Sequence, residues 1–197
     1  MNNLPEIFLK NSLLFQDKTL FGYKEEGEWQ SLSWDNTAKI LENLASGLKE
    51  IGVKKNDKIS IIADNSYKWC IIDLAIISLG GITVPGYTTS NEEEISYLLS
   101  HSETSTIFIN SKLLPIVEKI LPTLSKIKHV VCVDELKTTK KIKFKKLLYT
   151  YSELIKIGSK NKNKQNLLRK SIKKIKKDDV TCIIYTSGTS SQPKGVM

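Results

Sequence analysis

Five short runs along this chain, 58–63, 82–84, 106–109, 130–133 and 180–185, are almost wholly apolar, and segments of helical period separate them. A strand that is apolar on both faces has no solvent side, so it belongs in a parallel sheet with helices over each face. The pattern predicts an α/β fold: a mostly parallel sheet covered by helices on both faces. Local punctuation agrees. Ser33 is placed to cap a helix running to about Glu50, in which Leu41, Leu44, Ala45 and Leu48 keep helical spacing and Gly52 stands just past the end. A second helix is expected from about Ser66 to Leu79, closed by Gly80 and Gly81. Asn91 is placed to cap a third, whose first turn is Glu92, Glu93 and Glu94. Acids at the positive end of a helix each contribute about 0.3–1 kcal/mol when exposed. Capping explains all three, and no metal site is read there. Further helices are expected over 113–121, 149–157 and 164–175, with 136–144 as a loop.

In sheets of this kind, ligands sit beyond the carboxyl ends of the strands. The last apolar run ends there in Y-T-S-G-T-S-S-Q-P-K-G, from Tyr185 to Gly195. Thr186, Ser187, Gly188, Thr189, Ser190 and Ser191 form a run of small and hydroxyl residues, and Lys194 follows. Hydroxyls and N–H groups can donate to phosphate oxygens, Gly188 lets backbone approach closely, and the lysine supplies a point charge. Such residues also populate ordinary surface turns. What sets this run apart is its order, with Pro-Lys-Gly following it and an apolar strand before it. It is not a Walker A loop, because Pro193 precedes the lysine and Gly195 follows it, leaving no hydroxyl to hold magnesium.

The stretch resembles the signature of the adenylate-forming (AMP-binding) enzymes, Y-T-S-G-T-[ST]-G-x-P-K-G, with Ser191 standing where glycine is usual. Serine there restricts the backbone if the position needs positive φ. The likeness extends upstream. Ser33-Trp34, the Gly52 to Asp57 segment, Val84-Pro85-Gly86-Tyr87-Thr88-Thr89-Ser90, the Glu93 to Leu99 run and Y-S-E-L-I-K-I-G from Tyr151 to Gly158 are similar to the N-terminal part of long-chain acyl-CoA synthetases. The resemblance implies an incomplete N-terminal part of an adenylate-forming domain over 1–197, with a basic insertion at about 137–177. The rest of the large domain and a C-terminal lid are expected beyond Met197, and catalytic residues with them. It implies ATP-dependent activation of a fatty acid to an acyl-adenylate and then to acyl-CoA, with ATP, Mg2+ and coenzyme A taking part. Thr186 to Ser191 and Lys194 would then hold the β- and γ-phosphates. Two other readings stay open: an adenylate-forming ligase for aryl, short-chain or amino acids, and a non-catalytic nucleotide- or membrane-binding module.

Charge narrows the partners. The net charge is +9, but between Lys137 and Lys177 sixteen Lys and Arg face the single acid Glu153, a local +15 that leaves −6 for the remainder. Arg169 is the only arginine, although arginine is the residue best fitted to phosphate and base recognition. No zinc-finger or RNA-binding signature appears. The segment reads as a solvated surface, with peripheral contact to an anionic membrane as its one allowed partner and no nucleic acid. Cys70, Cys132 and Cys182 lie among apolar residues without C-x-x-C spacing, a set expected to be buried and reduced. His101 and His129 are isolated and read as structural. No basic region precedes an apolar run at the N-terminus, so no signal peptide is expected. The apolar helix at 69–79 is broken by Asp73 and is far shorter than the roughly 20 residues that span a bilayer. The expected location is the cytoplasm, at most at the inner face of a membrane.

Overall fold

A computed structural model describes residues 3–136, 148–186 and 192–197. The chain divides into two compact units, one made of residues 1–55, 65–80 and 154–179, the other of 56–64, 81–153 and 180–197.

The first unit is built around one amphipathic helix. It opens with α1 (Leu4–Phe15), capped where the Asn3 side chain accepts the Glu6 N–H at 2.9 Å. The hairpin β1 (Thr19–Glu25) and β2 (Glu28–Ser33) follows. Its two-residue turn holds Glu26 at φ 51° and Gly27 at φ 88°. Two positive φ values in succession match the right-handed twist of the strands they join. Then comes α2 (Trp34–Glu50), where the Ser33 hydroxyl accepts the Asn36 N–H at 3.2 Å as expected. Leu41, Leu44, Ala45 and Leu48 are fully buried on the face that α2 turns to α1, to α3 (Tyr67–Ser78) and to α7 (Lys164–Ile172). Each buried leucine contributes about 1.5–3 kcal/mol. Trp34 packs between Phe8 and Phe15, each with its ring centre 5.5 Å away. Gly52 (φ 94°) and Gly80 (φ 73°) end α2 and α3 in the left-handed conformation that glycine adopts without cost.

The second unit is a parallel sheet. Its strands are β3 (Lys58–Ile62), β4 (Ile82–Pro85), β5 (Thr106–Ile109), β6 (His129–Cys132) and β7 (Leu148–Thr150), in the order β4-β3-β5-β6-β7. One face packs under α4 (Glu92–His101) and α5 (Leu114–Ile120): Ile62, Val84, Ile107, Ile109 and Val130 meet Ile95, Leu99, Val117 and Ile120. Ile59, Ile61, Phe108 and Val131 alternate with them, turn the other way and are fully buried as well. Burial on both faces is the environment that the unbroken apolar runs predict. Strand order reverses between β3 and β5, which opens a crevice at their carboxyl ends.

Several expectations are corrected. Helix was expected from 149, but 148–150 is β7, paired with β6, and α6 (Tyr151–Ser159) begins only after it. The run 180–185 is not one strand of the parallel sheet. Thr181 and Ile183 bond to Thr83 of β4 at 2.9 Å each, with one bridge between Thr83 and Cys182, and the chain then leaves as β8 (Ile184–Thr186). Cys70 is exposed on α3, whereas Cys132 is buried and Cys182 half-buried. The loop expected at 136–144 lies, after Leu136, outside the described residues. Among the described residues, no helix is long and apolar enough to cross a membrane.

Candidate functional site

Two residues of the site expected from sequence, Thr186 and Lys194, stand on a two-stranded antiparallel ribbon in the second unit. β8 pairs with β9 (Lys194–Val196), matching Ile184 with Val196, Tyr185 with Gly195 and Thr186 with Lys194. The first and last residues of the proposed grip, Thr186 and Lys194, are therefore cross-strand neighbours, both exposed. Side chains at such positions lie about 5 Å apart and share one face of the ribbon. Ser187, Gly188, Thr189, Ser190 and Ser191 lie outside the described residues.

Three features fix the ribbon. Bonds from 181 and 183 to Thr83 tie its approach to the β4 edge. A Cβ on Gly195 would stand 2.9 Å from Ile183 Cγ2 and 3.3 Å from the Tyr185 ring, so the bare glycine gives that ring its place across the ribbon. The third feature is α4. The Tyr97 hydroxyl donates to the Pro193 carbonyl at 3.0 Å, and the Tyr185 hydroxyl lies 2.7 Å from His101 Nδ1 in a bond whose direction the imidazole tautomer sets. Tyr97 stacks on His101 with ring centres 5.2 Å apart, and both meet Tyr185 edge-on. Burial, and then the neighbouring Tyr97, push the Tyr185 phenol above its ordinary value, so it stays a neutral hydrogen-bonding group. From the sequence alone His101 reads as a structural residue near a helix end, and Tyr97 carries no role of its own. Their signal was the four-residue spacing that sets two side chains on one helical face.

Between the ribbon and α4 lies a cavity of about 720 Å³ lined by Gly86, Tyr87, Asn91, Tyr97, Thr186 and Pro193, among others. Asn91 caps α4 as expected: its Oδ1 accepts the Glu94 N–H at 3.0 Å, and the Glu94 carboxylate accepts the Asn91 N–H at 2.9 Å.

A second polar group gathers at the crevice between the ends of β3 and β5. Asp64 accepts from Lys112 Nζ at 2.9 Å and from the Thr88 hydroxyl at 2.9 Å. Those bonds, Lys112 first, hold its carboxyl below the ordinary range. Beside it Asp134 accepts from the Ser111 N–H at 2.6 Å and hydroxyl at 2.8 Å. Burial pushes that carboxyl up, but the bonds from Ser111 and Cys132 outweigh it and leave it lowered. Lys112 and Asp64 neutralise each other, so this group presents no surplus positive charge to a phosphate.

The family profile described as AMP-binding enzyme matches residues 10–197. The chain is 29% identical over 195 residues to long-chain-fatty-acid–CoA ligase ACSBG2 of Xenopus laevis, covering 98% of this chain and 26% of that protein. It is 31% identical over 196 residues to long chain acyl-CoA synthetase 4 of Arabidopsis thaliana, covering 98% of this chain and 28% of that protein. It thus spans little more than a quarter of the length of these relatives. Among solved structures, a long-chain-fatty-acid–CoA ligase from Archaeoglobus fulgidus superposes with a TM-score of 0.75 at 21% identity, over 100% of this chain and 36% of that one.

Proposed function

Because this chain belongs to the AMP-binding enzyme family, we propose that it carries the phosphate grip of an enzyme that joins a long-chain fatty acid to coenzyme A at the expense of ATP. In the first step, a carboxylate oxygen bonds to the α-phosphorus of ATP. The bond from that phosphorus to the bridging oxygen breaks, and pyrophosphate leaves with the electron pair. In the second, the thiol sulfur of coenzyme A attacks the acyl carbonyl, the thiol proton is lost, and AMP departs. This chain's part is in the first step. Thr186, Ser187, Thr189, Ser190 and Ser191 donate to the β- and γ-phosphates, Gly188 gives them room, and Lys194 faces the charge that grows on the departing pyrophosphate. Groups set in advance toward developing charge lower a barrier without reorganising as the reaction proceeds.

The observation that carries this reading is the pairing of Thr186 with Lys194 across the ribbon, which holds both ends of the grip on one support. Among the described residues no three His, Cys, Asp or Glu gather where they could hold a metal ion. The hydroxyls of the grip can donate to phosphate oxygens and also carry lone pairs of their own. Mg2+ is read here as a companion of the nucleotide's phosphates, and no step is routed through it.

The test is Lys194→Ala in the full-length protein, read as fatty-acid-dependent exchange of labelled pyrophosphate into ATP. Loss of one such contact costs about 3–4 kcal/mol, or roughly 10²–10³-fold in rate. Arginine at 194 restores only part, because its planar fork does not reproduce a compact ammonium. An unchanged exchange rate removes the phosphate role.

A further inference from the structure

We propose that Tyr97 and His101 of α4 act as positioning residues for the phosphate grip, clamping the two stems from which it springs. The clamp rests on the reading of the grip given above. Its geometry is particular. Tyr185 is the last residue before the grip and Pro193 the residue just before Lys194. Tyr97 bonds the Pro193 carbonyl, and His101 bonds the Tyr185 hydroxyl. One turn of one helix thus holds the entering strand and the returning strand together. The distances suit this. Four helical residues rise about 6 Å, close to the roughly 5 Å between paired strands. Tyr97 also stacks on His101 and meets Tyr185 edge-on, so each ring limits the rotation of the other two.

The clamp has something to restrain. A three-residue ribbon is marginal in water without further packing. Here Ile184 is 53% exposed and Val196 54% exposed, so the ribbon's outer side gives it little support. Its inner side rests on Tyr185, which packs against the core beneath α4. Loosening α4's hold would leave the spacing of Thr186 and Lys194 to two short strands alone. Neither Tyr97 nor His101 is part of the grip's own run, so their effect is on where the donors stand.

The experiment uses the full-length protein, single variants at Tyr97, His101, Tyr185 and Lys194, and the double variant of His101 and Tyr185. In Tyr97→Phe, which keeps the ring and removes one hydroxyl, the KM for ATP in pyrophosphate exchange rises about fivefold, the loss of roughly one neutral hydrogen bond. The rate at saturating ATP falls as well, because a displaced Lys194 no longer faces the charge on the departing pyrophosphate, whereas the KM for fatty acid and the thermal midpoint stay close to the parent values. His101→Ala and Tyr185→Phe each raise the KM for ATP, and the double variant is no worse than the stronger single one, because both remove the same bond. A second readout needs no activity: trypsin cuts faster after Lys194 in Tyr97→Phe than in the parent, and ATP slows the cut in both. Unchanged ATP dependence and unchanged cleavage in Tyr97→Phe, beside an impaired Lys194→Ala, overturn the clamp and leave the grip standing. Unchanged exchange in Lys194→Ala overturns the grip, and the clamp with it.

Discussion

Glu42 shows how one side chain can work against the fold that holds it. It lies on α2, only 9% exposed, in the first unit. Burial raises its carboxyl above the ordinary range, and the Gln165 side chain together with the charges of Lys164 and Arg169 pulls it only partly back. A raised folded-state value means that the fold prefers the protonated form. The stability this gives is complete below the unfolded-state titration and is lost as pH rises through the folded value. At neutral pH the ionised carboxylate is therefore a cost. Glu42→Gln keeps the shape and an acceptor for Gln165 while removing the charge. The expected result is an apparent thermal midpoint a few degrees higher than the parent at pH 7, with the gap closing as pH falls through the carboxylate range. A lower midpoint at pH 7 would mean that Lys164 and Arg169 outweigh the desolvation.

At the scale of elements, the crossing of α2 with α6 is made of backbone. A Cβ on Gly47 would overlap the Leu154 carbonyl, and a Cβ on Gly158 would overlap the Asn43 carbonyl and stand 2.6 Å from the Gly47 nitrogen. Glycine inside a helix costs about 0.5–1 kcal/mol relative to alanine, so close approach is what retains it here. Gly47→Ala and Gly158→Ala should each destabilise by about 1–3 kcal/mol, the usual range for overpacking, in denaturant melts. Because both relieve or strain one contact, the double variant should cost less than the sum. If either alanine proves stabilising, the helices have room to separate. The same scale explains what a reader of the sequence can see. Ser33, Ser66 and Asn91 cap their helices through bonds within three residues, so the cap and its partner are adjacent in the text. The hairpin β1–β2 is hidden because Glu26 stands where a positive φ usually calls for glycine or asparagine. α1 is hidden because apolar residues such as Leu4, Leu13 and Leu14 stay exposed, which blurs its period. β7 and the division of 180–185 depend on partners far along the chain, β6 for the one and Thr83 and β9 for the other. The candidate site divides in the same way. Thr186 and Lys194 are legible from a local pattern, whereas Tyr97 and His101 gain meaning only from bonds spanning 96 and 84 residues.

At the scale of the whole molecule, charge is the property that no single residue determines. The net +9 conceals +15 between Lys137 and Lys177 against −6 elsewhere. Where that segment is described, its cations face outward: Lys156, Lys160, Lys162, Arg169, Lys170, Lys173, Lys174, Lys176 and Lys177 are exposed, while Leu168 and Ile172 turn α7 inward. Each lysine close to an anionic bilayer adds about 1 kcal/mol of attraction, and at physiological salt the field decays over about 8 Å. The fatty acid of the proposed reaction would partition into such bilayers, so a weak, salt-sensitive hold would keep the proposed enzyme near its supply. The expected outcome in cosedimentation is binding to phosphatidylglycerol-containing vesicles at low salt, little binding to pure phosphatidylcholine, and release near 0.5 M salt, where the decay length is roughly halved. Reversing Lys170, Lys173, Lys174 and Lys177 to Glu together should abolish vesicle binding while leaving pyrophosphate exchange with soluble fatty acid intact. Duplex DNA should bind weakly, without preference for sequence, and be lost on the same salt scale, because one arginine and a surface of lysines supply charge but no base readout. Tight, sequence-selective binding to DNA would reverse this assignment. Salt-insensitive binding to neutral vesicles would transfer the contact from the lysines to the exposed leucines of α1.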